Sequence, residues 1–227
     1  MPETPVITID GPAGAGKGTI AQALACQLGW NILDSGSLYR LTAYSALKNA
    51  SSFEDIPQLV DIARNLQVEF LAQPGGVVKI MLQGVDVSQA IRSEAAGAAA
   101  SKVAAISEVR EALLQRQRDF AQTPGLVCDG RDMGTVVFPH AILKIYLTAS
   151  AEVRAQRRFK QLKDHGLNAN LAALIEEIQE RDFQDKNRIH SPLLPAVDAI
   201  EIDSSDLSID SVVSKIRQLY ESNVSTS

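Results

Sequence analysis

Nine consecutive residues near the amino terminus have the composition to hold phosphate: Gly11, Pro12, Ala13, Gly14, Ala15, Gly16, Lys17, Gly18 and Thr19. Glycines at this spacing permit positive φ, turn backbone N–H groups inward, and lead into a helix whose amino end favours an anion. Lys17 can then reach the β and γ phosphates of a nucleoside triphosphate. The competing reading is a plain glycine turn; the apolar run Val6 to Asp10 directly before the glycines favours a phosphate loop. One departure matters: Gly18 occupies the place after the lysine where a serine or threonine is usual, and Thr19 follows one place later. Any metal contact from Thr19 is therefore expected to pass through water.

A phosphate loop serves kinases, GTPases, motor ATPases and assembly modules alike. The guanine-reading pattern Asn-Lys-x-Asp is absent, and 227 residues leave little room for the added domains of a large mechanical ATPase. Phosphoryl transfer between two polyanions requires positive charge from several sides and exclusion of water. Arg181, Asp185 and Arg188 are spaced i, i+4, i+7 on a helix expected from Asn170 to Arg188, with Leu171, Leu174 and Ile178 as its apolar stripe. Arg154, Arg157 and Arg158 fall within about one helical turn. Either cluster alone is equally well read as a solvated helix laced with ion pairs. Asp129-Gly-Arg131-Asp132-Met-Gly134 follows a strand, and a carboxylate there lies at the sheet edge where open α/β proteins bind ligands. Asp129 can orient magnesium or its waters, and Gly130 and Gly134 would let the backbone approach a ligand so that Arg131 and Asp132 point at it. The plain alternative is a polar turn.

The elements that must position these groups alternate. Strands are expected at Val6 to Asp10, Asn31 to Asp34, Leu126 to Cys128, Leu143 to Leu147 and Ala199 to Ile202, separated by helical periodicity or by crossover lengths of chain. Gly29 supplies a stop for the first helix. Five such strands imply an α/β fold with a parallel sheet covered on both faces. The stretch from Asp34 to Leu126 is far longer than one crossover needs. Within it, Val68 and Phe70 alternate before Gln73-Pro74-Gly75-Gly76, and Val78, Ile80 and Leu82 alternate after it, the pattern of a hairpin on an inserted arm. An alanine-rich helix is expected from Glu94 to Ala105, with Ser107 as N-cap of the next. Two charged helices broken near Gly166 should fill residues 151–188, and the polar tail from Glu221 should fray.

At 45% hydrophobic, the chain can bury a full core as one domain with an insertion or as two small ones. A formal net charge of −5 argues against bulk electrostatic binding to nucleic acid, although a local basic cleft remains open. Cys26 and Cys128 form no CxxC pair and are expected to be buried small hydrophobes, with no disulfide framework or cysteine-rich zinc site. The first strand begins too early to leave room for a leader, and no stretch reaches a membrane span, so a cytoplasmic protein is expected.

GPAGAGKGT, LDSGSLYR, SKVAAISEVREALLQRQR, DGRDMGTVVFP and ERDFQDKNR, in this order, resemble the bacterial cytidylate kinases from about Val6 to Leu219. The resemblance implies a P-loop nucleoside monophosphate kinase fold in a single kinase domain. Its core would be residues 1–36, 106–150 and 189–227, its nucleotide-binding arm with insert residues 37–105, and its helical lid residues 151–188. It implies ATP as donor, CMP or dCMP as acceptor, and magnesium, with no nucleic-acid or membrane partner; a monomer is expected. Carried over residue by residue, Gly11 to Thr19 would hold the ATP phosphates and Lys17 the transferred group. Arg40, Arg131 and Arg188 would clamp the CMP phosphate. Ser101, Arg110 and Asp132 would read cytosine, Arg110 donating to O2 and N3 while Asp132 and Ser101 accept from the 4-amino group. Asp185 with Arg181 would meet the ribose hydroxyls, Ser35 lies in the acceptor-site turn, and Arg154, Arg157 and Arg158 would close over the phosphates. His140 stands where relatives are expected to carry an acid and is read as surface variation. The rivals are a P-loop kinase for another small acceptor and a nucleotide-dependent binding switch with slow hydrolysis.

Overall fold

The computed structural model describes residues 4–71, 78–164 and 168–225. Strand β1 (Val6–Asp10) is buried along its whole length, as a β-branched run at the centre of a two-sided sheet must be. Beside it on one hand lie β6 (Leu126–Gly130) and then β2 (Asn31–Asp34), and on the other β7 (Leu143–Thr148) and then β8 (Ile200–Asp203). Every pairing is parallel. The register sets Ile9 beside Asp129 and Asp34 beside Asp129, so that Asp10, Asp34 and Asp129 meet along the carboxyl edge of three neighbouring strands.

Helix α1 (Lys17–Leu28) starts from Gly16 at φ 93 with no side-chain cap, which leaves its first amides for another acceptor. It stops at Gly29 in the left-handed region, where the Trp30 amide closes back onto the Ala25 carbonyl. Helix α2 (Ser35–Lys48) is capped by Asp34, which accepts from the Ser37 amide at 2.9 Å. The inserted stretch continues with α3 (Ile56–Arg64), then β3 (Val68–Leu71) and β4 (Lys79–Leu82), paired antiparallel. The expected Pro-Gly turn between them lies outside the described residues, and a two-residue strand β5 (Val85–Asp86) adds a third member that periodicity cannot reveal. A 3-10 turn (Ala90–Arg92) and the alanine-rich α4 (Glu94–Ala104) close the insert, with α4 lying against α2.

Helix α5 (Ser107–Asp119) begins at Ser107 instead of being capped by it: Ile106 is the capping residue, and the Ser107 hydroxyl turns to the Glu108 carboxylate. A π-helical turn (Met133–Val137) follows β6. Helices α6 (Ala151–Asp164) and α7 (Leu171–Lys186) pack on one another; α7 ends before Arg188, and Gly166 lies outside the described residues. The last helix, α8 (Ile209–Ser225), runs through most of the tail expected to fray, with Arg217 bonded to Glu221 at 2.8 Å. Cys128 is buried in β6, whereas Cys26 lies exposed on the outer face of α1, contrary to expectation. Among the described residues no helix is long and apolar enough to cross a membrane.

One contact locks the glycine-rich loop to the sheet. Gly11 sits at φ +150, and a Cβ built there would lie 2.0 Å from the Leu147 carbonyl oxygen on β7. Gly11→Ala is expected to destabilise the chain by more than about 3 kcal/mol in urea unfolding, because neither backbone can yield. Gly29→Ala, at φ +65 with nothing near the added atom, should cost only about 1–2 kcal/mol. Equal losses for the two would refute this account of Gly11.

Candidate active site

The carboxyl edge of the sheet opens into two cavities that share Gly14, Gly16, Thr19, Arg40 and Arg181 in their walls. The smaller, about 310 Å³, is lined on one side by Gly14 and Gly16 to Thr19. Its other walls bring together Ser35, Arg40, Ser101, Arg110, Arg131, Asp132, Arg181, Asp185 and Arg188, which come from five different segments of the sequence. Every residue expected to hold the acceptor therefore faces one pocket, and that pocket abuts the phosphate loop. Within the loop, Pro12 is buried and lines neither cavity, while Ala15, also buried, lines the larger; the Pro12 carbonyl accepts from Lys17 Nζ at 2.8 Å. Burial and the nearby Arg131 push the Lys17 ammonium well below the usual lysine range.

Asp129 shares this floor. Burial first, and then the charge on Asp34, raise its carboxyl far above the ordinary aspartate value. Its Oδ1 is buried without a hydrogen-bond partner among the described residues, and a Cβ on Gly18 would sit 4.0 Å from its Oδ2. An orphaned carboxylate oxygen beside the first turn of α1 fits a hydrated divalent cation, which binds through one or two carboxylates plus substrate phosphates. Among the described residues no cluster of three or more His, Cys, Asp or Glu could hold a metal without such help.

Asp10 fixes the next turn. Its buried carboxylate accepts from the Met133 amide at 2.9 Å and the Gly134 amide at 2.7 Å, and burial raises its pKa to about 6. The π-helical turn is thereby held so that Arg131 and Asp132, just before it, line the cavity. Gly130 lines the smaller cavity as expected, whereas Gly134 lines neither cavity. A Cβ on Gly130 would strike the Met133 side chain at 2.8 Å, and one on Gly134 would meet Thr8 Oγ1 at 2.9 Å. They are required by internal packing.

Arginines and carboxylates interlock across the pocket. Arg131 Nε donates to Asp185 Oδ2 at 2.7 Å, and Arg188 donates to the other oxygen of the same carboxylate. Burial alone would raise Asp185, but these two guanidiniums outweigh it and hold the carboxyl below the usual range. Arg110 pairs with Asp132 and stacks over the Tyr39 ring at 5.5 Å. Arg40 reaches the Ile91 carbonyl at 3.5 Å, and the Ser101 hydroxyl bonds back to the Gly97 carbonyl at 3.1 Å. The expected cytosine readers Arg110 and Asp132 are thus already joined, while Ser101 lies on the same pocket from α4.

The larger cavity, about 880 Å³, runs from the phosphate loop between α6, α7 and α8. Its walls carry Arg92, Arg157, Arg158, Lys160 and Arg181 against Asp164 and Glu177, with Leu174, Ile178, Leu207 and Ile209 as an apolar side. A chain of net charge −5 has gathered its cations here. Arg157 is tied to the Ser204 carbonyl at 2.5 Å. Arg154 departs from expectation. It is 3% exposed, and its guanidinium is consumed by the Ala149 carbonyl, the Ala13 carbonyl and both Asp182 oxygens. It fastens the phosphate loop, α6 and α7 together, and it lines the larger cavity beside Arg157 and Arg158.

Sequence reasoning missed Asp10, Tyr39, Arg92 and Gln117. Tyr39 stood in the quoted LDSGSLYR segment beside Arg40 and could have been found there. Asp10 ends the first strand, where the argument used for Asp129 applies equally, and Gln117 stood in the quoted SKVAAISEVREALLQRQR segment; Arg92 carries no local signal, since only tertiary packing brings it to the larger cavity. His140 is exposed and away from both cavities.

The family profile described as Cytidylate kinase matches residues 7–222. The chain is 56% identical over 212 residues to a cytidylate kinase of Marinomonas sp. (strain MWYL1), covering 93% of each. It is 54% identical over 222 residues to one of Vibrio parahaemolyticus serotype O3:K6 (strain RIMD 2210633), covering 98% of each. Among solved structures it resembles a gluconokinase from Sinorhizobium meliloti 1021, with a TM-score of 0.51 at 12% identity over 99% of this chain and 98% of that one, a likeness of fold alone.

Proposed function

The chain belongs to the cytidylate kinase family, and on that premise we propose that it transfers the terminal phosphoryl group of ATP to CMP and dCMP across the boundary between the two cavities. The observation that carries this reading is the single pocket in which the phosphate loop meets the nine acceptor-side residues. The core, arm and lid are those given above: residues 1–36, 106–150 and 189–227; residues 37–105; and residues 151–188. The larger cavity suits ATP, its apolar side taking the base while Arg157, Arg158 and the α1 amides take the phosphates. The smaller cavity suits the acceptor, with Arg40, Arg131 and Arg188 on its phosphate, Arg110, Asp132 and Ser101 on cytosine, and Asp185 with Arg181 on the ribose.

The acceptor phosphate is already a nucleophile near neutral pH, so no general base is required. The rate then comes from alignment and from neutralising charge on the migrating group. Lys17 leaves the Pro12 carbonyl to meet that group, and its proton is retained once a polyanion replaces the low-dielectric surroundings that lower its pKa. Arg131 and Arg188, now shared with Asp185, are released toward phosphate as ribose hydroxyls donate to that carboxylate. Asp129 and Thr19 would hold a magnesium ion through water, and the ion would supply added neutralisation of the phosphate oxygens. A cytoplasmic monomer acting on small molecules fits this chemistry.

A coupled assay of ADP release with each nucleoside monophosphate tests the reading. CMP and dCMP are expected to give kcat/KM values at least about tenfold above those of AMP, GMP and UMP, since mismatched edges leave Arg110, Asp132 or Ser101 unpaired. Equal values across the panel would end it.

A further inference from the structure

Gln117 is a buried amide without an evident reason to be polar. On α5 it follows Val109 and Leu113 at i+8 and i+4, both fully buried, where an apolar side chain would simply continue the stripe. It is 2% exposed, and burying an amide is costly unless its hydrogen bonds are made. Its Nε2 donates to Ser35 Oγ at 3.0 Å. Ser35 and Tyr39 both line the smaller cavity, whereas Gln117 does not.

A serine hydroxyl has one proton to give and two lone pairs to receive. With one lone pair engaged by Gln117, and no acceptor for the Ser35 proton among the described residues, that proton is left to point into the pocket. We propose that Gln117 is a positioning residue for the acceptor nucleotide, holding the Ser35 hydroxyl as a hydrogen-bond donor aimed into the cavity. The inference rests on the reading of that cavity as the acceptor site. Gln117 also ties α5, which carries Arg110, to α2, which carries Ser35, Tyr39 and Arg40, so two walls of the pocket keep a common register.

The test is steady-state kinetics on the full chain with Gln117→Met, which preserves length and apolar bulk but cannot donate, and Gln117→Glu, which accepts and so turns the Ser35 proton away. Gln117→Met is expected to raise KM for CMP about tenfold with KM for ATP held within about twofold, and Gln117→Glu should raise it further. In a Ser35→Ala background both effects should shrink below about twofold, because the group being oriented is gone. Effects that multiply with Ser35→Ala, or that fall equally on CMP and ATP, would overturn the proposal, as would an unchanged KM for CMP in a soluble Gln117→Met. If the unaltered chain itself shows no preference for CMP, the acceptor-site reading fails first; if it shows the preference and Gln117 acts independently of Ser35, only this inference fails.

Discussion

Lys17→Ala is expected to lower turnover by roughly 10²- to 10⁴-fold, about 3–5 kcal/mol of transition-state stabilisation, while the chain remains folded. The catalytic loss follows from position: Lys17 opens α1 at the junction of loop and helix and lines the cavity proposed for the acceptor. The preserved fold follows from electrostatics. Burial already presses Lys17 and Asp129 toward their neutral forms, so deleting the ammonium strands no charge that a proton cannot neutralise. Lys17→Arg should not rescue activity, because a planar fork does not replace a compact ammonium in so enclosed a space. Stopped-time ADP assays beside urea unfolding separate the two effects. A folded Lys17→Ala with normal turnover would remove this lysine from the mechanism.

Asp132→Ala should be the most disruptive change on the acceptor side. It deletes the oxygen that accepts from Arg110, leaving a guanidinium over Tyr39 with its ion partner gone, which costs about 3–5 kcal/mol of stability when a buried pair is broken. It also deletes the acceptor proposed for the cytosine 4-amino group. The ratio of kcat/KM for CMP over UMP is expected to fall by roughly 10- to 100-fold, the worth of one specific polar contact to a base edge. Asp132→Asn retains an acceptor oxygen and should keep more of the preference. A folded Asp132→Ala whose CMP to UMP ratio is unchanged would exclude this carboxylate from base recognition and would favour a kinase for a different acceptor.

What could be read in advance was local chemistry. The strand, glycine loop and helix from Val6 to Leu28 formed as expected because periodicity, φ requirements and stop signal all lie within a few residues. Spacing on one helix anticipated Arg188 beside Asp185, but the second guanidinium on that carboxylate is Arg131, from after β6, where helix spacing pointed to Arg181. Failures came where a distant partner decides. Gly134 was read as room for a ligand, but Thr8, far away in sequence, and Lys144, on the next strand, occupy the space a side chain there would take. Ser107 resembled a cap by type, yet its hydroxyl found Glu108 instead of a backbone amide. Gln117 showed only as a polar interruption of the Val109 and Leu113 stripe, since its partner is a hydroxyl 82 positions away.

The fastening of Arg154 has a mechanical consequence. From the first turn of α6, Arg154 joins the Ala13 carbonyl of the phosphate loop to Asp182 of α7, so any displacement of α6 from that loop has to break a charge-assisted hydrogen bond. Arg157 and Arg158, less than about one turn further along α6 and lining the larger cavity, share that anchorage through the helix backbone between them.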